Sequence, residues 1–434
     1  MDQEGKKNIT RRAFMKKVGK GAAALSVASA MPGIVKPARA AKRDFILIGR
    51  PNPSTGPLAG FGEASPWADE QAMEAINKKG GIYIKEYGKK VPVKMKMLDT
   101  ESNPTKAAEL AHRLILNDKI DLMVVLHTPD TVNPTTAVCE RLKMPCIAAD
   151  VPIEAWLSGG PYHWSFATYW TVDALTDSYI STWEMVAGKT NKVIGMLFPN
   201  DPDGVTWSEM FHKKAPPLGY KMIDPGRFPY GVSDWTSTIN EFKKAKVEII
   251  AGVPIPPDFN TFWKQAHQMG FAPKICTVGR AMDFPGDAKA LGGDLARGIT
   301  LELGWSEFHK YNSSLTGESA KDFCDAWEKK FKKYWNQFSG PKHAGWEIAY
   351  DVLNRAQTLD KETLRKTIAA TDLKTIMGHV KFNEQQYAPT PVVQCQWVKG
   401  KRFPWEMEII NNRGISDIPK TGDLIFPLPG YKPS

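Results

Sequence analysis

Leu122-Met123-Val124-Val125-Leu126 is an unbroken apolar run of the kind that predicts a fully buried β-strand. A helix is predicted over about residues 132–142, and a second apolar run, Cys146-Ile147-Ala148, predicts another buried strand. A strand, a helix and a strand in this order form a unit whose two strands run parallel. The stretch therefore predicts an α/β fold class built on a parallel sheet.

The same alternation precedes this unit. Phe45-Ile46-Leu47-Ile48-Gly49 predicts a buried strand, and residues 93–98, where apolar residues alternate with lysine, predict a half-exposed strand. Between them, Ser65-Pro66 supplies the N-cap and the first-turn proline of a helix that ends at Gly80-Gly81. Residues 104–116 predict the next helix, so a strand-helix series extends over the first third of the chain.

A second series begins after residues 156–167, which are rich in Gly, Pro and aromatic residues and predict a loop and crossover. The predicted strands of this series are 193–198, 221–223, 248–251 and 274–278, and the predicted helices are 172–187, 206–215, 235–244 and 259–268. Helices at 320–334, 345–359 and 361–371 follow, and then strand-like stretches at 380–382 and 392–398. Two such series predict two lobes, each a parallel sheet with helices on both faces.

The composition excludes several classes of protein. Apolar residues make up 42% and charged residues 24% of the 434 residues, which is ordinary for a globular chain, and a mean hydropathy of −0.35 excludes a polytopic membrane protein. The net charge of +10 is concentrated in residues 1–40, which hold nine basic and two acidic residues. The remaining charge is too small for a nucleic-acid footprint, so we expect no nucleic-acid partner.

The first forty residues predict an export signal that is absent from the mature protein. Arg11-Arg12 opens a basic segment, a short Ala-rich apolar run covers residues 21–31, and Ala38-Arg39-Ala40 fits a signal-peptidase site. The arginine pair resembles a twin-arginine signal, and the alternative is an ordinary secretory signal. Either signal predicts a periplasmic protein that begins near Ala41.

Motifs for catalysis and for metal binding are missing. No G-x-S-x-G elbow, H-E-x-x-H motif or complete phosphate-binding loop occurs, and the eight histidines are scattered. We therefore expect a protein that is not an enzyme and that has no cofactor or metal site. The five cysteines form no C-x-x-C motif, and either a Cys139–Cys146 bridge or buried free thiols fit their placement.

Three stretches carry a resemblance to a known family. They are residues 56–62 with Ile76-Asn77-Lys78-Lys79-Gly80-Gly81-Ile82, Asn103-Pro104 with Asn117-Asp118-Lys119-Ile120-Asp121, and residues 375–383. Their order and spacing resemble the leucine/isoleucine/valine-binding proteins of ABC importers, which are type I periplasmic binding proteins. The resemblance extends over about residues 44–397.

The resemblance implies two Rossmann-like lobes joined by three crossovers, which we expect near Ser165, Gly298 and Phe382. The first lobe would comprise residues 42–164 plus 298–380, and the second 165–297 plus 381–434. Such a receptor closes around one small ligand and delivers it to the permease and ATPase subunits in the inner membrane. We expect it to be a monomer.

The resemblance also implies a ligand site, and here the sequence departs from the amino-acid receptors of the family. Ser102 and Thr128 occupy the positions of a disulfide in those receptors, so that bridge should be absent. Arg280 stands near the position of an acid that pairs with the ligand's ammonium group. A cation there favours a carboxylate ligand. Alternatively, Arg280 bonds Asp203 or Asp283 and only shapes the cleft.

Aromatic residues are abundant in this region, and a hydrophobic or aromatic carboxylate is the ligand class that we favour from the sequence. An amino-acid receptor, a ligand sensor with the same fold and an exported enzyme are the alternatives. The predicted ligand-binding residues are Phe61, Trp67, His127, Thr128, Asp130, Ala149, Asp150, Tyr169, Trp170, Asp203 and Arg280.

Overall fold

The structure, a computed structural model, describes residues 43–431. The predicted export signal, residues 1–40, lies outside the described residues. Within 43–431, no helix is both long enough and apolar enough to cross a membrane.

The described residues form strands and helices in alternation. The strands are β1 Ile46–Asn52, β2 Ile82–Ile84, β3 Lys89–Val91, β4 Val93–Asp99, β5 Leu122–Leu126, β6 Cys146–Ala149, β7 Ser165–Tyr169, β8 Val193–Leu197, β9 Lys221–Ile223, β10 Ile249–Gly252, β11 Ile275–Val278, β12 Thr300–Leu303, β13 Asp372–Thr375, β14 Gly378–Lys381, β15 Tyr387–Pro389, β16 Val393–Lys399 and β17 Trp405–Asn411. The α-helices are α1 Ala59–Gly62, α2 Ser65–Lys78, α3 Pro104–Leu116, α4 Pro129–Leu142, α5 Ile153–Leu157, α6 Val172–Glu184, α7 Pro202–Lys214, α8 Thr236–Lys244, α9 Pro256–Gln268, α10 Pro285–Leu291, α11 Ala320–Phe331, α12 Ser339–Ala356 and α13 Lys361–Ala369. Two short 3-10 helices occupy Ala187–Lys189 and Pro216–Leu218.

Two large sheets form the two lobes. The first sheet has the strand order β15-β7-β6-β5-β1-β4, and all of its pairs are parallel. Its central pairing sets Met123 opposite Cys146 and Leu126 opposite Ala149, which confirms the predicted strand-helix-strand unit. The second sheet has the order β17-β16-β12-β11-β10-β8-β9, parallel from β9 to β12 and antiparallel at β16 and β17. This is the predicted two-lobed α/β fold.

The strand pairing moves the crossovers away from their predicted places. β7 pairs with β6, so the chain leaves the first sheet after Tyr169 and not near Ser165. β12 pairs with β11 and β16 in the second sheet, so the chain leaves that sheet after Leu303 and not near Gly298. β15 pairs with β7, which places the last crossover after Pro389 and not near Phe382. Sequence patterns do not reveal which sheet a short strand joins, because that choice depends on partners that are distant in the chain.

Buried apolar residues form three clusters. Two lie on the two faces of the first sheet, with Val124 and Val125 pointing to opposite faces of β5. The third fills the second lobe and extends to Leu58 and Trp67 of the first lobe. Apolar contact is therefore continuous between the lobes, which are packed against each other in this structure.

Candidate functional site

A cavity with about 340 Å³ of empty space lies between the two lobes, at the carboxyl ends of the parallel strands. In open α/β sheets, ligands bind at this edge. Residues that line it include Thr128 beyond β5, Asp150 beyond β6, Tyr169 in β7, Arg280 beyond β11 and Glu302 in β12. This position makes the cavity the candidate ligand site.

The backbone is strained at the same strand ends. His127, Thr128, Asp150 and Arg280 have φ values of 69°, 39°, 62° and 56°, in the left-handed region that residues other than glycine rarely adopt. Such conformations cost free energy and persist where the surrounding structure holds them, often at ligand sites. The strain supports the identification of this edge as the functional site.

Aromatic rings form much of the cavity wall. Phe61, in α1 of the first lobe, contacts Phe338 with ring centroids 4.9 Å apart, and it also meets Phe284 of the second lobe at 5.0 Å. Trp170 lies 4.7 Å from Tyr169 and 5.6 Å from the ring of Trp207. A flat apolar group would find contact on several sides.

Four carboxyl groups share the wall with these rings. Burial raises the pKa of Asp150 and of Glu302 to about 7, and it raises the pKa of Asp203 and of Asp283 well above the usual range. Tyr179 donates to Glu302 Oε2 at 2.7 Å, and Gln337 donates to Asp283 Oδ1 at 2.9 Å. Asp203 Oδ1 is buried without a hydrogen-bond partner. These acids take up protons more readily than exposed carboxyl groups do, and a cation beside them favours their ionised forms.

On the first-lobe side, Asp150 belongs to a buried polar network. His127 Nδ1 lies 3.0 Å from Asp150 Oδ2 and 3.1 Å from Lys342 Nζ, and His127 Nε2 lies 3.2 Å from Ser65 Oγ. Burial lowers the pKa of Lys342 to about 7, although the nearby Asp150 opposes that shift. Burial and the charge of Lys342 hold the pKa of His127 well below its usual value, so this imidazole is neutral. The contact with His127 in this network holds the carboxyl group of Asp150 in position at the cavity wall.

Arg280 lines the cavity, but its five N–H groups are all used within the protein. Nε donates to the carbonyl of Val253 at 3.1 Å, and Nη2 donates to the same carbonyl and to Asp201 Oδ2, both at 2.7 Å. Nη1 donates to Tyr230 Oη at 3.2 Å and to Asp203 Oδ2 at 3.4 Å. No donor is left for a ligand carboxylate. These contacts agree with the alternative in which Arg280 bonds Asp203, and the expected role of Arg280 as the carboxylate partner stays a prediction.

The structure brings most of the predicted site residues to this cavity. Those that line it are Phe61, Thr128, Asp150, Tyr169, Trp170, Asp203 and Arg280. Trp67 packs instead against Phe323 and Trp327 of the neighbouring region, with ring centroids 4.5 and 5.4 Å apart. His127 lies beneath Asp150, and Ala149 is buried within β6. Asp130 lies at the rim, where the hydroxyl of Tyr230 is 2.9 Å from its Oδ2. These four residues therefore do not line the cavity.

Further lining residues were not predicted as ligand-binding residues. They are Pro152, Trp207, Val253, Asp283, Glu302 and Phe338. Glu302 lies in β12, a strand that the sequence analysis did not identify, and Asp283 was considered only as a partner of Arg280. A signal for Glu302 was present, because Thr300–Leu303 is a short strand-like run that follows Gly298.

A disulfide bond was expected to be absent at Ser102 and was left open for Cys139 and Cys146. Ser102 Oγ donates to the carbonyl of Thr55 at 2.7 Å and accepts from the backbone N–H of Leu58 at 3.1 Å, so a serine occupies that position in a hydrogen-bonded role. Cys139 and Cys146, whose pairing the sequence left open, are both buried free thiols.

Comparison with known proteins identifies the family. The model of the periplasmic binding protein family matches residues 46–401. A Leu/Ile/Val-binding protein homolog 7 from Brucella suis biovar 1 is 25% identical over 398 residues, covering 87% of this chain and 94% of the relative.

Two solved structures illustrate the similarity of fold. A leucine-binding protein from Thermotoga maritima MSB8 matches with a TM-score of 0.72 at 18% identity, over 85% of this chain and 99% of that one. A solute-binding protein of an ABC transporter from Rhodopseudomonas palustris BisB5, solved in complex with 3,4-dihydroxybenzoic acid, matches with a TM-score of 0.68 at 18% identity, over 89% and 99%. The chain therefore belongs to the periplasmic binding protein family, and its two lobes have the type I fold of the branched-chain amino-acid-binding group.

Proposed function

We propose that this protein is the solute-binding subunit of an ABC importer and that its ligand carries a protonated nitrogen on a small apolar body, as in an amino acid or an amine. The observation that carries the choice of ligand is the charge of the cavity wall. Asp150, Asp203, Asp283 and Glu302 line it, whereas Arg280, the one cation among the lining residues, is fully engaged within the protein.

A carboxylate alone would meet four acidic groups in a water-poor space, which is unfavourable unless those groups stay protonated. An ammonium group would replace the protons and interact with the carboxylates directly. Tyr169, Trp170 and Trp207 also line the cavity, and their rings would add cation–π attraction to an ammonium group beside them. A carboxylate on the same ligand has a candidate partner in Thr128, whose buried Oγ1 has no hydrogen-bond partner.

The second candidate is an aromatic carboxylate without an amine, which the sequence favoured. Two observations support it: the aromatic wall of the cavity, and the R. palustris relative that was solved with 3,4-dihydroxybenzoic acid. The engagement of Arg280 weighs against it. We therefore place this candidate second.

A thermal-shift and calorimetry screen with matched triads separates the two candidates. Each triad has one apolar body and differs only in charge, for example phenylalanine, phenethylamine and 3-phenylpropionate, or leucine, isopentylamine and 4-methylpentanoate. A ligand at about 100 times its Kd stabilises the fold by about 2.7 kcal/mol, which raises Tm by several degrees. We expect shifts with the amine-bearing members only. Stronger binding of the acid-only members, or of 3,4-dihydroxybenzoate, would support the second candidate and reject the first.

A matched pair of variants locates the binding. Glu302→Gln removes a charge from the cavity wall, whereas Glu347→Gln removes the charge of another buried glutamate whose pKa is also raised to about 7 but which does not line the cavity. We expect Glu302→Gln to weaken the binding of an amine ligand by about 10-fold or more, the effect of one charge-assisted hydrogen bond. Glu347→Gln should leave the affinity within about twofold. Equal effects of the two variants would contradict the assignment of the cavity.

Export and delivery complete the proposal. The arginine pair Arg11-Arg12 supports export by the twin-arginine route, and the family supports a permease and an ATPase as partners in the inner membrane. Replacement of both arginines by lysine should leave precursor in the cytoplasm. Normal processing of that double variant would remove the twin-arginine assignment but not the proposal of a solute-binding subunit.

A further inference from the structure

We propose that Asp130 and Tyr230, anchored by Arg280 and Asp201, form a latch that holds the two lobes closed in the absence of ligand. Asp130 lies at the start of α4, which follows β5 of the first sheet. Tyr230 lies between β9 and α8 of the second sheet. Any separation of the lobes at the mouth of the cleft must break their contact.

The contact is specific. Tyr230 Oη lies 2.9 Å from Asp130 Oδ2, contacts Asp201 Oδ2, and accepts a hydrogen bond from Arg280 Nη1 at 3.2 Å. The guanidinium carbon of Arg280 lies 5.7 Å from the centroid of the Tyr230 ring. One tyrosine hydroxyl is thus held on the second lobe by Arg280 and Asp201 and meets Asp130 of the first lobe. Because the hydroxyl carries one proton, it donates to only one of the two carboxyl groups at a time. Hydrogen bonds that involve charged groups are the stronger ones in proteins.

The second-lobe half of the latch is built to stay in place when the lobes part. Asp201 caps α7, accepting from the backbone N–H of Gly204 at 2.7 Å, and Arg280 is tied to the carbonyl of Val253 by two donors. Among the contacts of the latch, opening therefore breaks only the one with Asp130. Tyr230 is 37% exposed even in the closed structure, so water can replace the lost partner without leaving a buried charge unpaired.

The latch is separate from the ligand site. Neither Asp130 nor Tyr230 lines the cavity, whereas Arg280 contributes to both. This arrangement explains how a buried arginine at the cavity edge can serve closure instead of binding the ligand. It predicts that the closed state is populated without ligand, so the latch can be tested before the ligand is known and independently of the proposed function.

The test measures the distance between two spin labels on ligand-free mature protein. Leu116→Cys on α3 of the first lobe and Leu218→Cys in the second lobe provide label sites, since these leucines are 47% and 48% exposed. The five native cysteines are buried and should not react. Double electron–electron resonance then gives the ratio of closed to open molecules in this background, in Tyr230→Phe and in a control, Tyr220→Phe. Tyr220 also donates to a carboxylate, that of Glu184 at 2.7 Å, but within the second lobe.

We expect a short-distance population in the unmodified background, and Tyr230→Phe should lower the closed-to-open ratio by about 5- to 10-fold. Tyr220→Phe should leave the ratio unchanged. Asp130→Ala should lower the ratio as much as Tyr230→Phe, and the double variant should lower it no further. A background protein that is entirely open without ligand, or a ratio that Tyr230→Phe leaves unchanged, would overturn the proposal.

Discussion

Replacement of Arg280 by alanine separates its structural role from a role in ligand binding. The substitution removes five hydrogen bonds and leaves Asp201 and Asp203, both largely buried, without their cation. Removing one partner of a buried ion pair costs about 3–5 kcal/mol. For a chain of this size, at about 2 °C per kcal/mol, we expect Tm of the ligand-free protein to fall by about 6–10 °C.

The pH dependence of that loss follows from the pKa of Asp201. Burial raises this pKa, but Arg280 and the hydrogen bonds from Gly204 and Tyr230 together hold it below its usual value. A carboxyl whose folded pKa is lowered stabilises the fold above its unfolded pKa, and that contribution disappears as the pH falls through the folded pKa. Without Arg280, burial dominates and the carboxyl can take up a proton. The loss of stability should therefore be larger at pH 8 than at pH 5.

Chemical denaturation of ligand-free protein at both pH values is the assay, with Arg280→Lys and Arg297→Ala measured in parallel. Lysine keeps the charge but cannot reproduce the planar set of donors, so we expect an intermediate loss. Arg297 is exposed, and its removal should change the free energy of unfolding by no more than about 0.5 kcal/mol. If Arg280→Ala were as stable as Arg297→Ala and lost only ligand affinity, the internal role of Arg280 would be refuted.

Three further predictions concern the cavity and the thiols. An amine ligand should bind more tightly at pH 8 than at pH 6, by about 10-fold for each carboxyl that must lose its proton, because the pKa of Asp150 and of Glu302 is about 7. Calorimetry in buffers of different ionisation enthalpy should also detect released protons, and an affinity that falls with rising pH would contradict this. Gly279→Ala should lower the free energy of unfolding by about 1–3 kcal/mol, because its new Cβ would lie 2.5 Å from Trp207 and 2.6 Å from Glu302. Gly286→Ala should not lower it, because nothing lies within 4 Å of that Cβ, and similar denaturation midpoints for both variants would refute the packing argument. A thiol reagent should label none of the five cysteines in native mature protein and all five after unfolding, and any lasting loss of thiols would indicate a disulfide.

The fold could be predicted where a local pattern settles the structure. The apolar runs of β5 and β6 and the boundaries of α3 agree with the structure. Three helices begin earlier than predicted, at Pro129, Pro202 and Pro256, because proline lacks the N–H that a first helical residue does not need. Reading those prolines as the ends of loops placed each helix start three or four residues too late.

The candidate site was predictable only in part, for a different reason. Phe61, Asp150 and Tyr169 could be located because motifs of the family fix their positions relative to the strands. The role of Arg280 could not, since its partners Asp201 and Tyr230 come from two other loops of the second lobe. A sequence shows that a cation follows a strand, but whether its donors are free depends on contacts between distant segments.

A crystal structure of the mature protein with the tightest-binding compound of the matched triads would test the ligand assignment most directly. We expect the compound between Thr128 and the second-lobe acids, with its nitrogen within about 3.2 Å of a carboxylate oxygen of Asp203, Asp283 or Glu302. Arg280 should keep its bonds to Asp201 and Asp203. A carboxylate of the ligand bound to Arg280, or a ligand outside this cavity, would contradict the assignment.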